Sequence, residues 1–120
     1  MVDDLNPKME TTKQKGDLAE KRAISFLEDK NYTILETNFY AKKLGEIDII
    51  ASKNQTYHFI EVKSALDYET AVNNITSSKL SKLKRSIDYF IQTKNIKNAY
   101  CIDVIIVTPT QIDFLENITI

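Results

Sequence analysis

A chain of 120 residues with 16 basic and 17 acidic side chains has the length of one domain and a formal net charge of −1, which excludes a protein that coats nucleic acid by bulk charge. Hydrophobic residues at 42% and charged residues at 28% are ordinary for a globular fold, and no apolar run approaches a membrane span. The start, MVDDLNPKME, has neither an apolar core nor a basic flank, so no secretory signal is expected; the lone Cys101 makes no internal disulfide and fits a reducing cytoplasm.

Residues 1–12 lack periodicity and read as a flexible lead-in to a single domain over 13–120. From about Thr12 to Lys30, Leu18, Ala19, Ala23, Phe26 and Leu27 recur at helical spacing, and Asn31 supplies a left-handed stop. YTILETNFY at 32–40 reads as a strand. After a turn through Lys42–Gly45, EIDIIAS at 46–52 and YHFIEVK at 57–63 read as a hairpin joined by Lys53–Thr56. Residues 64–76 read as a loop. Ser77 is placed to cap a helix to about Thr93, whose buried stripe is Leu80, Leu83, Ile87, Phe90 and Ile91. YCIDVIIV at 100–107 is apolar enough for a central strand covered on both faces, and IDFL at 112–115 adds a short last one. A helix between the third and fourth strands implies a parallel crossover, hence a mixed sheet flanked by helices in the order α-β-β-β-α-β(-β).

The chemistry concentrates in GEIDII and FIEVK. If Ser52 pairs with Tyr57, the register sets Asp48 opposite Glu61, with β-carbons about 5 Å apart, and alternation puts Lys63 on the face of Glu61. Two carboxylates so close repel unless a cation lies between them, and hard oxygen donors favour Mg2+ or Mn2+ over zinc. An ammonium beside them can hold a water or offset charge on a phosphate. Asp48 lies in the apolar run IDII, where an unpaired carboxylate is costly. The alternative is a hairpin whose charges merely face solvent. Gly16 stands one helical turn before Glu20, which suggests a close approach of helix to sheet that carries Glu20 toward the pair; a surface acid is the alternative there. His58 faces away from Glu61, and Asp103 and Cys101 read as structural.

Taken together and in order, the Gly-x-x-x-Glu helix, GEIDII, FIEVK, the Lys-rich helix and YCIDVIIV resemble the bacterial YraN family. These are small uncharacterised proteins of the restriction-endonuclease-like, or PD-(D/E)XK, nuclease superfamily, to which archaeal Holliday junction resolvases are more distantly similar. The resemblance spans residues 14–120 and implies a restriction-endonuclease-like α/β fold. It implies Asp48 and Glu61 as metal-binding acids, Lys63 as the catalytic lysine and Glu20 as an auxiliary acid. The backbone carbonyl of Val62 would be a further metal ligand, and Mg2+ or Mn2+ the cofactor. It assigns Lys79 to phosphate contact, and Lys82, Arg85 and Lys43 join it as candidate nucleic-acid contacts. The expected activity is hydrolysis of phosphodiester bonds in duplex or branched DNA, with no membrane partner. A homodimer is in keeping with the paired resolvases and with how little DNA one such domain covers. The chain departs from the family at Ala65, where an arginine is usual, at Asn31, where the family often has glycine, and after Asn38, where Phe39 and Tyr40 replace a nearby arginine. Those departures keep two other readings open: a nucleic-acid-binding module without cleavage, and an assembly protein whose hairpin charges are structural.

Overall fold

The computed structural model of the chain describes residues 12–118, so the lead-in expected over 1–12 lies, apart from Thr12, outside the described residues. The elements run α1 (Thr12–Asp29), β1 (Thr33–Tyr40), a single 3-10 turn (Lys42–Leu44), β2 (Glu46–Lys53), β3 (Thr56–Ser64), α2 (Tyr68–Asn73), α3 (Ser77–Lys94), β4 (Tyr100–Val107) and β5 (Ile112–Leu115). The strands form one sheet in the order β1-β2-β3-β4-β5. Only β3 and β4 are parallel, because α2 and α3 carry the chain from the end of one to the start of the other. The mixed α/β sheet expected from the sequence is the one observed.

The sheet is buried on both sides. On one face, Ala19, Ala23 and Leu27 of α1 pack with Tyr32, Ile49, Ala51, Ile60, Ile105 and Val107. On the other, Leu83, Ile87 and Phe90 of α3 pack with Ile47, Ile50, Phe59 and Ile102. Fully burying such a side chain contributes roughly 1.5–3 kcal/mol, so these two layers are the main favourable term for the fold. Leu18, expected on the buried stripe of α1, is half exposed; the stripe narrows to positions 19, 23 and 27, one face at a spacing of four.

Local chemistry sets the boundaries. Asn31 takes the left-handed conformation (φ 70°) and ends α1, as Asn95 (φ 54°) ends α3. The hairpin connection is tighter than expected. Lys53 pairs with Thr56, leaving Asn54 and Gln55 as a two-residue turn with both φ positive. Thr76, rather than Ser77, caps α3, its Oγ1 accepting the N–H of Lys79 at 3.2 Å. The segment read as a loop over 64–76 contains α2, which Asp67 caps by accepting the N–H of Thr70 at 2.8 Å. Six residues are too few to show a helical period, and α2 is held by Ala71 buried against Val104 and Ile106.

His58 and Asp103 are structural, as expected. The Asp103 side chain is fully buried; Oδ2 is 2.7 Å from Nδ1 of His58, and Oδ1 accepts the N–H of Asn117 at 2.7 Å. The pair ties β3 and β4 to the segment after β5. Burial, followed by the charge of Asp103, pushes the Cys101 thiol upward, away from the thiolate a nucleophile needs.

The two described glycines differ. A β-carbon on Gly16 would meet open space, so the close helix–sheet approach expected there is absent. Gly45 has φ +137°, and a β-carbon on it would lie 3.1 Å from both Cε of Lys82 and Oγ of Ser86. The close approach belongs to α3 and the turn into β2. Gly16→Ala should therefore raise the melting temperature, by up to about 1 kcal/mol in stability, while Gly45→Ala should lower it by roughly 1–3 kcal/mol. Paired thermal melts check both signs.

Candidate metal and phosphate site

The site begins where β2 stops being a regular strand. Residues two apart on a strand share a face, yet Ile49 packs on the α1 side and Ile47 on the α3 side. Alternation is therefore broken between them, at Asp48. The β2–β3 ladder ends at Ile49↔Ile60, one pair short of Asp48 and Glu61. In place of the missing ladder bond, the N–H of Val62 donates to Oδ2 of Asp48 at 2.8 Å. The carboxylate thus substitutes for a backbone acceptor at the point where the hairpin opens. The ladder pair of Asp48 with Glu61 expected from the sequence is therefore absent, and a contact from the Asp48 side chain to the Val62 backbone stands in its place.

Asp48 and Glu61 come close enough to act strongly on each other. Burial first, then the charge of Glu61, raise the carboxyl of Asp48 to about 7, against the lowering effect of the Val62 amide; the charge of Glu20 adds to the rise. Lys63 follows two residues after Glu61, and its Nζ lies 3.2 Å from Glu61 Oε2. The side chains of Lys63 and Glu61 are 22% and 21% exposed, so the ion pair is reachable from solvent. One ammonium against two carboxylates leaves the group net negative once Asp48 ionises.

Glu20 arrives from α1. Burial raises its carboxyl, opposed by a hydrogen bond from Asn38, and Asp17, Glu46 and Glu61 are the nearby charges that add to the rise. The side-chain amide of Asn38 donates to Glu20 Oε1 at 3.0 Å. Asn38 is the site residue that sequence reasoning missed as such; its one visible signal is an asparagine inside a β-rich run.

Among the described residues, no three or more His, Cys, Asp or Glu side chains converge as a ready cage for a metal ion. The fit to a cation rests on the pair: two hard carboxylates, partly withdrawn from water, with unbalanced mutual repulsion. Asp48, Glu61 and the backbone of Val62 are together, Lys63 is paired to Glu61, and Glu20 lies within electrostatic reach.

The basic candidates divide. Lys79 donates from Nζ to the carbonyl of Asn74 at 3.1 Å, a contact within its own end of α3. Lys82 covers Gly45 with its stem and is exposed beyond it. Arg85 is exposed one turn further along α3, and Lys43 is exposed on the turn two residues before Gly45. Lys43 and Lys82 thus flank the entry to β2, three residues before Asp48.

Asp48 also yields a pH prediction. Its carboxyl is held near 7 in the fold and near 3.8 when free, so the fold binds this proton more tightly than the unfolded chain does. That stability is present in full below about 4 and is lost as pH rises through 7. Without divalent metal, the protein should melt several degrees lower at pH 8 than at pH 5. Asp48→Asn, which keeps an oxygen for the Val62 amide, should flatten that dependence.

Comparison with known proteins shows which family the chain resembles over most of its length. A family model described as uncharacterised protein family UPF0102 matches residues 19–107, a span holding Glu20, Asp48, Glu61 and Lys63. A UPF0102 protein of Aliarcobacter butzleri is 68% identical over 108 residues, covering 90% of this chain and 98% of that relative. One from Sulfurimonas denitrificans is 52% identical over 109 residues, covering 91% and 99%, and one from Helicobacter hepaticus is 44% identical over 109 residues, covering 91% and 97%. Among the described residues no helix is long and apolar enough to cross a membrane.

Proposed function

The chain belongs to the uncharacterised protein family UPF0102, the YraN family that its motifs resemble, and within it we propose that this protein is a metal-dependent nuclease acting on DNA. The observation that carries the reading is the Asp48–Glu61 pair, with Lys63 beside it, at the opened end of the β2–β3 hairpin. Asp48 and Glu61 would hold Mg2+ or Mn2+, with the carbonyl of Val62 as a further oxygen donor. When bound, the ion would lower the pKa of a water and offset charge on a phosphate. The residues do the rest. The ammonium of Lys63, 3.2 Å from Glu61 Oε2, would hold that water or balance the phosphoryl oxygens as negative charge builds in the transition state. Glu20, whose ionised form is favoured by the hydrogen bond from Asn38, would accept hydrogen bonds from water on the α1 side. Lys43, Lys82 and Arg85 offer the phosphate backbone a positive border at the entry to β2, with Lys79 at the far end of the same helix stripe. Branched DNA is the preferred substrate class, in keeping with the resemblance to resolvases.

A binding module without cleavage keeps one argument of its own. Lys63 is already paired to Glu61, and Ala65 supplies no second cation.

A cleavage screen over single-stranded, duplex and four-way-junction DNA separates these readings. Nuclease action predicts products with Mg2+ or Mn2+ and none with EDTA, and a loss of about two orders of magnitude or more in Asp48→Ala, Glu61→Ala and Lys63→Ala. Saturating metal should also raise the melting temperature of the wild type and leave Asp48→Ala unchanged. Metal stabilisation and DNA binding with no cleavage would favour the binding module. Cleavage that survives both Asp48→Ala and Lys63→Ala would lie outside this site.

A further inference from the structure

Asn38 has a backbone that its position in the fold does not otherwise require. Among the described residues, positive φ occurs at Asn31, Asn38, Lys42, Gly45, Asn54, Gln55, Asn95 and Asn117. All of these except Asn38 lie in turns, at helix ends or outside the strands. Asn38 (φ 52°) is inside β1, where the left-handed conformation costs about 1 kcal/mol and gains no turn. The β1–β2 ladder holds Thr37↔Ile49 on one side and Phe39↔Ile47 on the other, so the interrupted position in β1 falls opposite Asp48. Phe39 and Ile47 then pack together on the α3 side, past the break in alternation. Two adjacent strands thus change course at the same level, and that level is the carboxylate site.

The side chain explains the location. A carboxylate accepts only, so the nitrogen of the Asn38 amide must face Glu20, and it does so at 3.0 Å. We propose that Asn38 is a positioning residue: its left-handed backbone turns the amide toward α1, where it fixes the Glu20 carboxylate beside the Asp48–Glu61 pair. Asparagine suits both tasks, since it tolerates this conformation better than other non-glycine residues and carries a donor on a short stem. Aspartate shares the backbone tolerance but sets a second negative charge against Glu20. Glycine shares the conformation but carries no donor.

The inference rests on the metal-site reading, and the test keeps the two apart. The first arm uses metal-free protein and thermal melting. Asn38→Asp should lower the melting temperature, and adding Glu20→Gln should restore most of the loss, because the neutral amide no longer repels the new carboxylate. The second arm measures Mn2+ affinity by electron paramagnetic resonance. Asn38→Gly should melt within about 3 °C of wild type, yet bind Mn2+ about tenfold more weakly. In the Glu20→Gln background, Asn38→Gly should cost no further affinity. Absence of rescue in the first arm overturns the proposal. Rescue together with wild-type Mn2+ affinity in Asn38→Gly also overturns it, since the contact would then be structural alone. A wild type that takes up no Mn2+ removes the metal reading, and the metal-free arm then decides the hold of Asn38 on Glu20.

Discussion

The N–H of Val62 donating to the carboxylate of Asp48 is the contact around which the carboxylate end of the β2–β3 hairpin is arranged. It satisfies a backbone donor that the ladder has left unpaired, and it holds Asp48 next to Glu61 at the edge of the core. An unpaired N–H there would cost roughly 1–3 kcal/mol, so the bond offsets part of the repulsion between the carboxylates. The remainder stays as a proton held near neutral pH on Asp48, where most carboxyls have long been ionised.

Such an arrangement survives because the surrounding sheet is overdetermined. The parallel β3–β4 pair is continuous from Tyr57↔Tyr100 to Ser64↔Val107 and is covered on both faces. The His58–Asp103–Asn117 contacts lock one end of that pair, while Gly45 lets α3 press on the turn entering β2 at the other. Local strain at Asn38 is thus borne by a packed frame whose register is fixed, since slipping one residue would take Ile49 and Ile60 out of the α1 layer they fill.

The frame was legible in the sequence because it follows period. Helical spacing located α1 and α3, the turn at 53–56 between two apolar stretches located β2 and β3, and the apolar run YCIDVIIV announced a strand covered on both sides. The meeting of Asp48 and Glu61 was legible too, since both are charges placed where apolar neighbours make them costly. Elements that depend on a few contacts were not legible. The α2 helix is too short to have a period and exists through Asp67 and Ala71. Gly16 looked like a packing glycine, but nothing approaches it. Asn38 could not be singled out, because a positive φ leaves no trace in the letters beyond a residue that tolerates it. The register of the hairpin was correct where it is a ladder; it changed character at Asp48, where a side chain takes over from the backbone.

Crystals of the protein soaked in Mn2+ and measured at the manganese edge would test whether Asp48 and Glu61 hold a metal ion. An anomalous peak is expected beside the carboxylates of Asp48 and Glu61, and none in Asp48→Asn crystals treated alike. Full-occupancy manganese elsewhere on the protein, or none at any concentration that leaves the crystals intact, would contradict it.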